Sequence, residues 1–237
     1  MRSFLLFLLF NLPFFASAQL LETFSDGDFT TNPTWTGDAH LFTVNAAQQL
    51  QSNGPAVTAT GYLATPSQVN TGAEWEFWLN LRFATSGANL AEVYLMSDAQ
   101  NLAGSLNGYF VRIGDTQDEV SLYRKTGTTS TKIIDGTDGT IASTTNNLVK
   151  VKVSRSTANL WTLEIDITGT GSNYISQGTV TDATHQRSEF FGVFMRYSAT
   201  NSTKFYFDDL KITDATPPAL VAATLISATQ LDLLFNE

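Results

Sequence analysis

The chain is predicted to be all-β and to fold as a two-sheet antiparallel sandwich, on three observations. No segment of a dozen residues carries a 3.6-residue apolar period. Segments of alternating polar and apolar residues recur instead, parted by clusters of Gly, Asn, Asp, Ser and Thr. About a dozen short strands over roughly 190 residues is the pattern that two packed sheets produce.

In chain order, weak strands are expected at Leu41–Val44, Gln48–Gln51 and Ala56–Ala59. Strong ones follow at Glu74–Phe83, Ala91–Ser97, Gly108–Ile113 and Glu119–Arg124, then a weak one at Thr131–Ile134. Leu148–Arg155, Leu160–Ile167, Phe190–Tyr197 and Lys204–Ile212 complete the set. In LVKVKVSRS, Val149, Val151 and Val153 share one face, and Lys150 and Lys152 share the other. Leu163, Ile165 and Ile167 alternate in the same way with Glu164 and Asp166. A hairpin with one wet side suits a sandwich wall.

Residues 1–18, MRSFLLFLLFNLPFFASA, read as a secretory leader: Arg2, an apolar run from Phe4 to Phe15, then Ala16-Ser17-Ala18 as cleavage site. The run is too short and interrupted for a membrane span, and no later segment approaches the ~20 apolar residues that one needs. The expected location is outside the cell, secreted or at its surface. The domain is expected over 19–213. At Asp214 the character changes to DATPPALVAATLISATQLDLLFNE, a Pro-Pro linker and two short alternating segments over 214–237. This piece resembles the opening of bacterial immunoglobulin-like modules, which makes other modules of the same chain the expected partners. A tail that docks on the sandwich is the alternative.

The net charge is −9, so an acidic chain without a basic cluster repels nucleic acid and anionic lipid. The absence of cysteine excludes disulfides, thiol catalysis and cysteine-held zinc. His40 and His185 stand far apart and are expected at the surface.

FSDGDF near the start, then PTWTG, a central GYFVRIG with EVSLYR, and a terminal FYFDDLKI together resemble laminin-G-like or concanavalin-like jelly-roll domains of large secreted proteins of Bacteroidota type. The resemblance covers about residues 20 to 213. It implies that the first and last strands lie side by side, bringing the DGDF turn to the FDD strand. It also implies a structural Ca2+ there, held by Asp26, Asp28 and Asp208, oxygen ligands of the kind calcium takes. The alternative for Asp26 and Asp28 is turn formation through hydrogen bonds to their own backbone.

The superfamily includes glycan-binding modules, adhesion modules and β-glucanases, so fold alone does not choose among them. Its glycosidases carry a strand of the form E-[I/L]-D-x-x-E, whose outer acids serve as nucleophile and acid/base. This chain offers Glu164-Ile165-Asp166-Ile167 and then Thr168-Gly169, without the second Glu. Glu74 and Glu76 share a face but nothing marks either as buried. No catalytic residue is assigned, and no serine elbow, HExxH or phosphate loop is present.

Glu74–Phe83 has two faces. Trp75, Phe77, Leu79, Leu81 and Phe83 form a core stripe, while Glu76, Trp78, Asn80 and Arg82 form the other face. Trp78 beside Asn80 and Arg82 is a platform on which a sugar could stack and hydrogen-bond. Phe110 with Arg112 and Phe194 with Arg196 repeat the pairing. One face carrying Trp78, Asn80, Arg82, Arg112 and Arg196 follows on the condition that these strands share a sheet. Packing beneath loops is the alternative. Trp35 and Trp161 are expected as structural plugs. The expectation is a non-catalytic extracellular module that binds a polysaccharide or glycoconjugate. A structural or adhesive spacer is the alternative.

Overall fold

The computed structural model describes residues 18–214, 220–227 and 230–235. The chain first forms β1 (Ala18–Glu22), β2 (Thr36–Gly37), β3 (Phe42–Val44), β4 (Leu50–Ser52), β5 (Ala59–Pro66) and β6 (Ala73–Leu81). Next come β7 (Leu90–Ser97), β8 (Leu106–Gly114), β9 (Glu119–Gly127), β10 (Thr129–Ile134) and β11 (Asn147–Arg155). Then follow β12 (Leu160–Asp166), β13 (Ile175–Thr181), β14 (Phe190–Tyr197), β15 (Phe205–Asp214), β16 (Leu220–Ser227) and β17 (Gln230–Phe235).

Two antiparallel sheets form the sandwich. One has eight strands, ordered β13-β12-β11-β6-β15-β4-β3, with β1 also paired to β15. The other has seven, ordered β10-β9-β8-β7-β14-β5-β2. The strong strands stand where the alternation places them. The weaker ones shift: the segment expected at Ala56–Ala59 forms at Ala59–Pro66, and Gln48–Gln51 becomes Leu50–Ser52. Strand β13, ISQGTVT, escapes the pattern because it is an edge strand with little to bury, so no apolar alternation marks it. The first and last sandwich strands are neighbours, with Leu20 opposite Ile212 and Glu22 opposite Leu210.

The main core lies between the sheets. Trp75, Phe77, Leu79 and Leu81 are buried there, as the stripe in EWEFWLNLRF predicts, with the valines of β11 beside them. Val93, Val111 and Val193 enter from the other sheet. Trp35 and Trp161 are both buried. His40 is exposed, whereas His185 is half-buried, against the expectation of a surface residue, because its ring packs edge-on against Tyr109.

A second apolar layer sets the seven-stranded sheet apart. Tyr94, Leu102, Leu106, Phe110, Tyr123 and Phe194 cluster away from the main core. That is why β7, LAEVYLMS, is buried at every position: both of its faces are covered.

The leader falls outside the described residues except for Ala18, which begins β1, and the Pro-Pro linker also falls outside them. Strands β16 and β17 pair with each other in a two-stranded sheet of their own.

Candidate functional site

The predicted face divides in two. Strand β6, with Trp78, Asn80 and Arg82 at its end, pairs with β11 and β15 in the eight-stranded sheet. Strands β8 and β14, with Arg112 and Arg196, belong to the seven-stranded sheet. All five side chains lie on positions opposite in parity to the core, so the two sets look away from each other across the sandwich. The single face of aromatics and arginines is therefore corrected to two separate faces. The cause is strand pairing, which alternation within one strand does not report.

On the eight-stranded sheet the outward side chains satisfy one another. Lys150 bridges Glu76 at 3.1 Å and Asp209 at 3.2 Å, and Lys152 pairs with Glu164 at 3.0 Å. Trp78 stands half-buried between Lys150 and Asp208 in register. The Arg82 guanidinium lies 4.1 Å from the ring centroid of Tyr206. Asn80 is 5% exposed and donates to Asn146 at 2.8 Å.

The three aspartates of the expected calcium clip do not fit an ion. Among the described residues no three acidic or histidine side chains converge as a metal site requires. Asp28 acts as a turn former: it accepts from the Thr30 and Thr31 backbone N–H groups and from both hydroxyls. These donors, the Thr30 backbone first, hold its carboxyl below the usual range. Asp26 accepts from the Asp28 N–H at 3.1 Å. Asp208 stands on the last strand, where its carboxylate accepts from the Asp209 backbone N–H at 2.8 Å and burial raises its pKa.

The acids of β12 are likewise engaged. Glu164 is tied to Lys152, and Asp166 is fully buried beneath the turn that follows it. Asp166 accepts from the Thr168 backbone and hydroxyl, the Thr170 hydroxyl, and the Ser172 and Asn173 N–H groups.

The outer face of the seven-stranded sheet is built differently. Tyr94, Phe110 and Tyr123 are register partners across β7, β8 and β9. Their rings stack in sequence, with centroids 5.0 and 5.2 Å apart. Each stacked pair adds about 0.5–1.5 kcal/mol beyond its buried area. Cations lie over this ladder: Arg112 is 4.6 Å from the Tyr123 centroid, and Lys125 is 5.4 Å from that of Tyr94. Arg112 donates through Nε and Nη2 to one oxygen of Glu92, at 3.0 and 2.7 Å, and through Nη1 to Asp115 at 3.0 Å. Burial opposes the charge on Arg112, and Glu92 more than offsets it, so its pKa is raised. Tyr94 donates to the other oxygen of Glu92 at 3.0 Å. Burial, then that carboxylate, raises the Tyr94 phenol far above its ordinary value.

The loop between β7 and β8 closes one side of this face. Asp98 pins its base by accepting from the Asn107 backbone at 2.7 Å and side chain at 2.8 Å. Leu102, at its tip, packs over Gly192: a Cβ there would lie 2.7 Å from Leu102 Cδ1. Beside the loop a depression of about 470 Å³ opens, within the range of small-ligand sites. Glu92, Tyr94, Arg112, Lys125, Phe194 and Arg196 line its sheet side. Ser105 and Thr128 supply hydroxyls from the loops, and Ser130 supplies one from the edge strand β10.

Two of the five predicted ligand residues, Arg112 and Arg196, thus reach the depression, and Trp78, Asn80 and Arg82 do not. Glu92 and Lys125 escape the sequence reading. Their signal is the same one that marks Phe110 with Arg112, an aromatic and a charge two residues apart on one face. It is present in Glu92 with Tyr94 and in Tyr123 with Lys125.

No family model matches this sequence, and no curated protein matches it. Solved structures do. The lumenal domain of VIP36, in its Ca2+- and mannose-bound form, is similar at a TM-score of 0.58 and 12% identity, over 86% of this chain and 89% of that one. The legume lectin-like domain of Entamoeba histolytica is similar at 0.55 and 12%, over 79% and 92%. The carbohydrate-binding module CBM66 of Bacillus subtilis is similar at 0.50 and 12%, over 85% and 99%. At such identities the likeness shows the fold, and the fold is a concanavalin-like, legume-lectin-like jelly roll.

Proposed function

We propose that this chain is a non-catalytic carbohydrate-binding module of an exported protein, holding its glycan in the depression on the outer face of the seven-stranded sheet. The observation that carries the reading is the convergence there of an apolar floor at Phe194, fixed guanidinium and ammonium donors, and loop hydroxyls. Sugars present the matching chemistry, apolar C–H faces ringed by hydroxyls. The fold neighbours support the class, being described with mannose or as carbohydrate-binding modules. The leader read at residues 1–18 supports export, and among the described residues no helix is long and apolar enough to cross a membrane. The hairpin β16–β17, paired apart from the sandwich, supports a further module beyond it.

Calcium has no role in this reading, because Asp26 and Asp28 serve as turn acceptors and no three acidic or histidine side chains converge among the described residues. A glycosidase role is disfavoured by the engagement of Glu164 and Asp166.

Affinity electrophoresis of the full chain in gels cast with a panel of polysaccharides tests the proposal. One polysaccharide is expected to retard the chain, with and without EDTA. Ser130→Trp, which places a bulky ring at an exposed lip position, is expected to abolish the retardation. No retardation by any polysaccharide, or full retardation of Ser130→Trp, would overturn the assignment.

A further inference from the structure

Lys125 is 8% exposed and lines the depression, yet among the described residues no carboxylate lies within ion-pair distance of it. An ammonium has three donors. Two are used, one to the Tyr94 hydroxyl at 3.1 Å and one to the Leu102 carbonyl at 3.3 Å. The nearby carboxylate of Glu92 is held by Arg112 and Tyr94. Burial correspondingly holds the Lys125 pKa below that of an ordinary lysine.

Arg196 lines the same depression and makes one hydrogen bond, to the Gly87 carbonyl at 3.1 Å. It too has no carboxylate partner among the described residues. Lys125 is a cation taken out of water without an ion-pair partner, which is costly, and the exposed Arg196 in the same depression adds a second charged donor for an anion brought there. The rest of the chain makes the contrast sharper. A protein of net charge −9 keeps two uncompensated cations in one cavity, which is the reverse of diffuse attraction to polyanions.

Resting on the glycan-binding reading, we propose that the ligand is an acidic saccharide whose carboxylate or sulfate is received between Lys125 and Arg196. The neutral part of the ring lies against Phe194 and the loop hydroxyls. Arg112 is already saturated by Glu92 and Asp115, and serves to fix the wall.

The test is affinity electrophoresis and calorimetric titration of the full chain. The probes are polygalacturonate, its fully methyl-esterified form, heparin and neutral dextran. Tight binding to polygalacturonate, weakened at least about tenfold on esterification, supports a carboxylate ligand, because a charge-assisted bond is roughly twice as strong as a neutral one. Binding to heparin in place of polygalacturonate supports a sulfate. In either case Lys125→Met and Arg196→Gln are each expected to weaken binding about tenfold, the effect of losing one such bond. Met replaces the Lys125 stem with an apolar chain of similar length, and Arg196 is exposed, so both variants should fold. Arg187→Gln removes an exposed cation outside the depression and is expected to change nothing. Four results would overturn the proposal. One is an equal loss in Arg187→Gln, which would mean diffuse attraction. Another is equal affinity for the polyuronate and its ester. The third is binding of dextran alone that Ser130→Trp blocks, which would leave the module reading intact. Failure of every probe is the fourth such result, and it would leave the module reading to the wider polysaccharide panel.

Discussion

Arg155 and Trp161 are register partners on β11 and β12, and the guanidinium carbon of the first sits 4.9 Å from the ring centroid of the second. Both are fully buried. Arg155 reaches the carbonyls of Asn70, Asp182 and His185 and the side chain of Asn159, so one guanidinium gathers three separate loops. The Trp161 indole donates to the same Asp182 carbonyl at 3.1 Å. On the facing sheet the Tyr109 hydroxyl donates to the Asp182 carboxylate at 2.6 Å, which links the two layers at this end of the sandwich.

Arg155→Ala is expected to cost about 3–5 kcal/mol, because it leaves buried carbonyls unpaired and a cavity beside Trp161. Arg155→Lys keeps the charge but not the planar fork, and is expected to cost about 1–3 kcal/mol. Urea denaturation checks both. A loss below about 1 kcal/mol for the alanine variant would refute the tie, since one net hydrogen bond is worth that much.

Asp166 carries a pH dependence. The Thr168 hydroxyl first, then backbone donors from the following turn, hold its carboxyl well below the ordinary range. An unfolded aspartate titrates near pKa ~3.9. The stabilisation is therefore full above about pH 5 and is lost as pH falls toward the depressed folded value. Asp166→Asn is expected to lower the urea midpoint at neutral pH and to flatten its decline in acid. Parallel acid profiles for the two proteins would show that the turn does not depend on the charge.

Trp78→Ala is expected to leave glycan retardation unchanged, because Trp78 stands on the face opposite the depression. Loss of retardation in a variant that melts normally would return the site to the eight-stranded sheet.

Calcium or EDTA is expected to leave the melting temperature within about 1 °C, since only an ion bound preferentially to the native state raises it by mass action. A rise of several degrees in calcium would restore the clip, and its absence from Asp28→Asn would locate it.

Much of the fold was legible in the residues. The stripe Trp75, Phe77, Leu79 and Leu81 and the valines of β11 declare their buried side through the two-residue period of a strand. The closing FDD strand stands beside the opening one. Of the lining of the proposed depression, Arg112 and Arg196 were legible as candidates. Lys125 was not, because its burial comes from Leu102 on a loop 23 residues away in sequence. Asp28 was legible as an oxygen donor, but the threonines that take up its oxygens compete with any ion, and only the folded turn shows which partner is engaged.

By itself the sequence determined which residues of each strand point inward and which outward, since the pleat makes that a local property of neighbours two apart. Only the tertiary structure decided which outward residues meet. Pairing β6 with β11 and β15, and β8 with β7 and β9, is a choice among distant segments. That choice put Trp78 and Arg112 on opposite sides of one core. It also brought two unpaired cations, Lys125 and Arg196, to a single cavity, because the hydrogen-bonding edges of a strand, unlike its faces, carry no mark of their partners.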